Sequence, residues 1–292
     1  MNILSFDIEE WCIEKDFGAG NKEAYAKYDA VLDHILELLN RQSITATFFC
    51  LGKMATDFPH VIRKIASQGH EIGSHSNAHL WINKMTPAEF KKDTITAINS
   101  LEDLTGEKVK SFRAPAFSIG ENNKWALEIL SECGIENDSS IFPGVRDFGG
   151  FPTFNEISPC TIEYNGCYLT EFPIPLYDIP IIHNALAYSG GGYFRLLPLA
   201  FVKYCMNLNS TNTCYFHIED FLPKKSQIMS RSEYEEYFKE PGPFITRYIR
   251  HIKSNIGRTK SMAHFEKLLT VFSFGSIASF NQLGLNLKTI NL

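Results

Sequence analysis

The sequence predicts an α/β fold built on a parallel sheet, open or closed into a barrel. Three observations predict it. Short apolar runs of strand length alternate with longer segments at helical spacing, the pattern of repeated strand–helix units. The joints between them carry helix start and stop signals. Acidic, basic and imidazole side chains fall at the ends of the predicted strands, where a parallel arrangement gathers functional groups on one carboxyl rim. At 292 residues, 44% hydrophobic and 13% aromatic, the chain can bury a large core as one big domain or two modest ones. No internal repeat, low-complexity segment or linker divides it, so one domain over 1–292 is expected.

Taken in order, Asn2 to Asp7 is an apolar run suited to a buried strand. Side chains alternate along a strand, so Asp7 and Glu9 share a face if the chain stays extended, and Glu10 points away. From Glu23 to Asn40, Val31, Ile35, Leu38 and Leu39 recur at helical spacing. Ile44 to Leu51 is β-branched and aromatic and reads as the second strand. Pro59 to Gln68 reads as a helix stopped by Gly69, and His70 to Ser74 as the third strand. Thr86-Pro87-Ala88-Glu89 is a capping box with proline at the first helical position, opening a helix that runs to Gly106. Lys110 to Arg113 is strand-like, and Asn123 to Cys133 is helical, with Gly134 stopping it before Asp138.

The second half is less regular. Residues 147–180 carry many Gly, Pro and Asn among short strand signals such as Tyr168 to Phe172, which reads as long loops or a small sheet. Gly190-Gly191-Gly192-Tyr193 lacks the lysine and spacing of a phosphate-cradling loop, so a tight bend or close backbone approach is expected. Leu199 to Leu208 reads as a helix, Thr213 to Ile218 as a strand containing His217, Phe238 to Leu269 as mostly helical, and Val271 to Ile277 as a last strand.

Charge and cysteine usage exclude several classes. A net charge of -5 without a basic block argues against nucleic-acid partners. No apolar stretch is long enough to span a membrane, and the first residues show neither a basic leader nor an apolar run of signal length, so the expectation is a cytoplasmic protein. Seven cysteines form no Cys-x-x-Cys, which favours small core residues over disulfides or a thiolate zinc site.

The chemistry centres on Gly69-His70-Glu71-Ile72-Gly73-Ser74-His75-Ser76-Asn77-Ala78-His79 and the carboxylates Asp7, Glu9 and Glu10. Imidazoles four residues apart can turn to one side of a helical turn or tight loop and hold one metal ion, although the spacing alone fits hydrogen-bonded histidines as well.

Ser5-Phe6-Asp7-Ile8-Glu9, Thr45-Ala46-Thr47-Phe48-Phe49, Gly69 to His79 and Phe112-Arg113-Ala114-Pro115 occur in the order and form of the polysaccharide deacetylase family with the NodB-type domain, which the chain resembles over about residues 1–220. Gly190 to Pro198 and the C-terminal region resemble the branch associated with exopolysaccharide gene clusters. The resemblance implies a distorted (β/α) barrel with fewer than eight strands, carrying added loops and a helical extension over about 221–292. It implies metal-dependent removal of acetyl groups from an N-acetylated polysaccharide, oligosaccharide or precursor, and it leaves a homo-oligomer open.

Residue by residue, His75 and His79 resemble the metal ligands and Asp7 the catalytic base. The common pattern has two adjacent aspartates, whereas Ile8 follows Asp7 here. Glu9 therefore resembles the ligand of the branch whose acidic residue lies two positions on, with Glu10 its rival. Strand alternation favours Glu9, and a bulge would reverse the choice. Arg113 resembles the residue that pairs with and orients the base, Asp138 the segment lining the acid side of the groove, and His217 the general acid. The family's glycine after Pro115 is displaced by Ala116-Phe117, and its usual leucine is Tyr215. Zinc is the expected ion, since two histidines and one carboxylate leave positions open for water and substrate. Without the family pattern, Arg113 reads as a buried ion-pair partner, Asp138 as a cap and His217 as a core histidine. Two other functions stay open. A closed pocket would suit a relative that cleaves a C–N bond in a small non-sugar molecule, and an open groove lined by Trp81, Phe117 or Tyr193 would suit sugars. The unusual Glu9 also fits an idle carbohydrate-binding relative.

Overall fold

The computed structural model describes residues 1–18, 20, 22–146, 149–179, 184–223, 228–238 and 240–292. Residues 147, 148 and 180, part of the expected loop region, and 224–227 and 239, part of the expected helical extension, lie outside the described residues. Among the described residues twelve strands are present in chain order: β1 (Asn2–Ile8), β2 (Thr47–Cys50), β3 (Glu71–Ser74), β4 (Ser111–Phe112), β5 (Asn137–Asp138), β6 (Cys160–Tyr164), β7 (Cys167–Glu171), β8 (Leu176–Ile179), β9 (Asn184–Ala187), β10 (Thr213–His217), β11 (Phe274–Gly275) and β12 (Thr289–Asn291). The main sheet runs β10-β1-β2-β3-β4-β5-β7-β6-β12, with β11 beside β1, while β8 and β9 form a separate hairpin.

From β10 to β7 every pairing is parallel, a run of seven strands that fits the expected barrel-like sheet; β6 joins it as the antiparallel partner of β7. Pairing among the described residues does not join β7 back to β10. The run nevertheless curls. Arg113, just after β4, bonds to Asp7 on β1 and to Ser139 just after β5, and its guanidinium lies 4.3 Å from the ring centre of Phe49 on β2. One side chain can meet all three only across the hollow of a rolled sheet.

Alternation along each strand sorts side chains between two cores. Leu4, Phe6 and Ile8 of β1 and Phe48 and Cys50 of β2 face outward into the large cluster. There they meet Leu32, Ile35 and Leu39 of the helix Lys22–Arg41, Val61 and Ile65 of Pro59–Ser67, and Phe90, Ile98 and Leu101 of Pro87–Thr105. Ile3 and Phe49 belong instead to an inner cluster with Phe172, Ile277 and Phe280. The short helix Ile277–Asn281 closes the amino-terminal end of the sheet. Its Ile277 N–H donates to Thr47 Oγ1, its Ala278 N–H to Glu71 Oε2 and its Asn281 side chain to Asn137 Oδ1, at the starts of β2, β3 and β5. With that end plugged, the inward-facing Asp7 near the end of β1 belongs to the opposite, carboxyl rim.

Helix signals read from the sequence match local structure. Thr86 and Glu89 make the reciprocal capping box, and Gly106 and Gly134 take left-handed φ angles of 76° and 84° at helix ends. Gly190 is a close backbone approach: a Cβ there would meet the Tyr215 carbonyl oxygen at 1.8 Å, against β10. One expectation needs correction. Only Phe274–Gly275 of the stretch Val271–Ile277 pairs as a strand, and the last strand is β12, whose polar Thr-Ile-Asn carries no apolar run. The stretch 238–269, expected to be mostly helical, holds two helices, Phe244–Asn255 and Arg258–Val271, separated at Gly257 with φ 79°. Gly52–Asp57, between β2 and the helix at Pro59, is a helix too short for its periodicity to show.

Candidate active site

Asp7 and His217 are aligned partners on the neighbouring parallel strands β1 and β10, and both sit at their carboxyl ends. Arg113 follows β4, and His75 directly follows β3, its N–H donating to the Cys50 carbonyl to extend the ladder. The four residues expected on one rim are on it. After Ile8 the strand ends: Glu9 adopts φ −137°, ψ −22° and precedes the helix Glu10–Phe17. Strand alternation therefore stops before Glu9, and the turn into the helix, not the pleat, aims its carboxylate.

Glu9, His75 and His79 converge, with ligand atoms all within 4.8 Å of one another. Glu9 Oε2 lies 3.2 Å from His75 Nε2 and 2.7 Å from His79 Nε2. Glu10, the rival carboxylate, turns away and accepts the Glu219 N–H at 2.9 Å, and burial pushes its pKa up to about 8. The two histidines do not use a helical turn. Residues between them form a tight loop with positive φ at Ser76 (65°) and His79 (59°), pinned by the Asn77 N–H to Asp93 Oδ2 and the His79 N–H to Ser76 Oγ.

The donor set fits a divalent ion. His75 Nδ1 lies 2.7 Å from the Arg113 carbonyl, an acceptor only, so that nitrogen carries the ring proton. In the neutral ring Nε2 is then a lone pair aimed at the Glu9 carboxylate, an arrangement that a cation between the two would satisfy. Glu9 Oε2 is buried against the two imidazole Nε2 atoms. An imidazole fixed by a backbone carbonyl on its far nitrogen is the arrangement that orients metal-binding histidines.

Arg113 is wholly buried. It gives one bond to Asp7 Oδ1 at 2.9 Å and two to Ser139, at 3.2 Å to the carbonyl and 2.8 Å to Oγ. Asp7 Oδ2 faces His217 Nε2 at 3.8 Å, and the same nitrogen is 3.5 Å from Glu9 Oε1. The other ring nitrogen, Nδ1, lies 3.6 Å from Asp220 Oδ2, and Arg195 Nε is 3.0 Å from Asp220 Oδ1. Burial works against a charged His217, but the bond to Asp220 and the carboxylates of Glu9 and Asp7 outweigh it and raise its pKa well above the ordinary value. An ion held by Glu9 would offset that residue's share, leaving Asp220 on the far side of the ring.

Asp138 is placed differently from the other expected residues. It is fully buried and takes the Ser140 hydroxyl at 2.5 Å, while Ser140 Oγ also accepts the Ala114 N–H. Beside it lies Glu171. Burial raises the pKa of Asp138 to about 6, and burial together with the charge of Asp138 raises Glu171 well above its usual value, so the two carboxyls share a proton. Phe117, one of the aromatics expected along a groove, is buried against Tyr215. Trp81 instead lines a cavity of about 120 Å³ beside His79, with Phe17, Asp16, Lys53 and Tyr237. The Tyr237 ring stacks over His79 at 6.3 Å. Asp220, Arg195 and Tyr237 carry no sequence signal beyond the position of Asp220 three residues after His217.

Residues 19–137 match the family model described as polysaccharide deacetylase. That segment belongs to the polysaccharide deacetylase family. It holds His75, His79 and Arg113, whereas Asp7 and Glu9 precede it. Residues 139–282, which contain His217, match a second model described only as a domain of unknown function, DUF3473. The border between the two matches falls at the end of β5, inside the sheet, and β10 of the second segment pairs with β1. The chain's curated relatives include two named deacetylases. A peptidoglycan-N-acetylglucosamine deacetylase of Bacillus cereus is 38% identical over 32% of this chain and 34% of its own length. A chitooligosaccharide deacetylase of Bradyrhizobium is 24% identical over 42% of this chain and 58% of its own. The chain thus spans about a third to three fifths of these relatives. A solved structure of a candidate polysaccharide deacetylase from Mycobacterium smegmatis matches 99% of this chain and 92% of its own, with a TM-score of 0.64 at 16% identity, a likeness of fold.

Proposed function

We propose that the chain is a metal-dependent hydrolase that removes N-acetyl groups from an N-acetylated polysaccharide, oligosaccharide or precursor. The observation that carries this reading is that Asp7 and His217, 3.8 Å apart, stand at the same rim as the Glu9, His75 and His79 cluster, with His217 Nε2 3.5 Å from Glu9 Oε1. Amide hydrolysis needs a base for the attacking water and an acid for the departing amine, and these are two groups able to fill those parts. Family membership of the segment holding both histidines supports the same reading.

Glu9, His75 and His79 would hold the ion, which supplies Lewis acidity toward the acetyl carbonyl and acidifies water, with zinc the expected metal. Asp7 has one oxygen committed to Arg113, so Oδ2 accepts the proton of the attacking water. Arg113, anchored at Ser139, fixes the direction of that oxygen. His217, held as an imidazolium with Asp220 behind Nδ1, presents Nε2–H and protonates the leaving nitrogen. Asp138 enters the proposal at one remove, since its bond to Ser140 supports the Ala114 N–H beside Arg113.

Sugar amides are preferred over small non-sugar amides because the two relatives described above are named for glycan deacetylation. Cytoplasmic residence stays part of the proposal, supported by seven cysteines that are all free thiols, five of them buried. No described helix is long and apolar enough to cross a membrane. Acetate release from a panel of N-acetylated glycans by protein loaded with one equivalent of zinc tests the function. Release from acetylated oligosaccharides supports it; release only from small non-sugar amides moves the assignment to the second reading.

A further inference from the structure

The helix Phe244–Asn255 is built inside out. None of its residues is buried, and its apolar side faces solvent: Phe244 is 63% exposed, Ile245 67%, Tyr248 45%, Ile249 46%, Ile252 39%, with Ile256 just beyond at 47%. These positions recur at three- and four-residue intervals and form one continuous ridge. The polar side is turned to the body. Arg247 donates to the carbonyls of Gly242 and Met229, Arg250 packs 4.5 Å from the Phe238 ring, and the Ser254 carbonyl accepts from Arg195 and Arg258. A helix with this pattern ordinarily buries its apolar stripe, so the ridge is made for something outside the chain.

Charge says what that is. The chain carries a net charge of -5, yet between Glu240 and Glu266 it has Arg247, Arg250, Lys253, Arg258 and Lys260 and no Asp or Glu. Lys253 and Lys260 are exposed, and Lys253 stands beside the ridge where a long side chain can reach headgroups while the isoleucines enter the layer below. A second copy suits the ridge poorly. A two-fold contact would bring the exposed Lys253 of each copy to the same seam, and one face of a helix about 18 Å long buries well under the roughly 800 Å² per partner of a stable interface. The helix is also too short to span a bilayer.

We propose that the helix Phe244–Asn255 is an interfacial docking element that seats the protein on an anionic membrane surface. The helix that carries the ridge is linked through its inner side to the candidate active site: Arg250 packs on Phe238, Phe238 on Tyr237 at 4.7 Å, and Tyr237 over His79. Docking therefore holds the rim close to the membrane, where lipid-attached or membrane-retained glycans would be within reach. The proposal stands on the helix alone and does not depend on the deacetylase reading.

Flotation of the full-length protein with vesicles tests it, using phosphatidylcholine alone and phosphatidylcholine with about a third phosphatidylglycerol. The protein should float with the anionic vesicles, less so at high salt. The variant I245S/I249S/I252S should lose at least about tenfold in partitioning, and K253E should weaken it, with catalytic activity and melting temperature retained because none of these residues touches the site. Should the triple variant fail to fold, Tyr248→Trp gives a second readout, a blue-shifted emission appearing only with anionic vesicles. Failure of the wild-type protein to float with anionic vesicles overturns the proposal. So does a triple variant that folds and floats unchanged, or a dimer in sedimentation that the triple variant converts to monomer while lipid binding is absent.

Discussion

His75 Nδ1 lies 2.7 Å from the carbonyl oxygen of Arg113, the residue whose guanidinium holds Asp7. One residue thus fixes the tautomer of a metal-ligand candidate through its backbone and the direction of the base through its side chain. The two halves of the proposed chemistry share a support, and a shift of the β4 end would move both.

Metal content tests the cluster. Purified protein should bind about one divalent ion per chain, and His75→Ala or His79→Ala should abolish tight binding, read by elemental analysis after dialysis. Glu9→Ala should weaken binding far more than Glu10→Ala, because Glu10 is spent on the Glu219 N–H. Equal retention in both variants would reject Glu9 as the third ligand.

Arg113 and Asp7 form a pair with side-chain exposures of 0% and 3%. Removing one partner of a buried pair leaves an uncompensated charge, so Arg113→Ala should cost on the order of 3–5 kcal/mol in denaturant unfolding. Arg113→Lys keeps a charge but loses the fork that reaches Ser139, and should fall between wild type and Ala. A loss under about 1 kcal/mol for Arg113→Ala would show that the pair is not buried in solution.

The fold was largely legible in the sequence because its parallel strands are short apolar runs separated by amphipathic helices with clear caps. What was not legible has particular causes. β12 is polar, and it becomes a strand only because β6 offers a partner. Strand alternation favours Glu9, but the strand ends at Ile8, so the residue converges on the histidines through the opening turn of a helix that the sequence pattern does not show. Asp220 and Arg195 reach His217 through a tight turn and a glycine-bounded helix far away in sequence, and no periodicity relates them. The ridge on Phe244–Asn255 has the same periodicity as a buried stripe, and only the structure shows which way it faces.

The carboxyls Asp138 and Glu171 predict a pH effect on stability. Their folded pKa values are raised, so the folded state keeps a proton that the unfolded chain releases near pH 4. Stability from this pair is therefore full below about pH 4 and declines as pH rises through about 6 and beyond. Glu171→Gln removes the shared proton but keeps an acceptor for the Ile141 N–H, so its stability relative to wild type should improve steadily from pH 4.5 to 7.5 in urea titrations. A difference that stays constant with pH would mean that both carboxyls are solvated.

His217→Ala should keep the metal and lose about 10²- to 10⁴-fold in turnover if the imidazolium is the acid. Asp220→Asn removes a carboxylate that raises the His217 pKa, so the alkaline limb of the rate profile should move to lower pH with metal content unchanged. An alkaline limb that survives His217→Ala in place would assign the proton donor elsewhere.

If Asp7 drives hydrolysis of a glycan acetamide beside the ion, acetate release by wild-type and Asp7→Asn protein should differ sharply at equal, verified metal occupancy on an acetylated glucosamine oligomer. The amide is nearly the same size and can still take the Arg113 bond, but it cannot accept the water's proton. Wild type should release acetate and Asp7→Asn should fall by at least about 10²-fold with its metal retained. Equal release by the two proteins, or none from metal-loaded wild type on any acetylated glycan, would contradict the account.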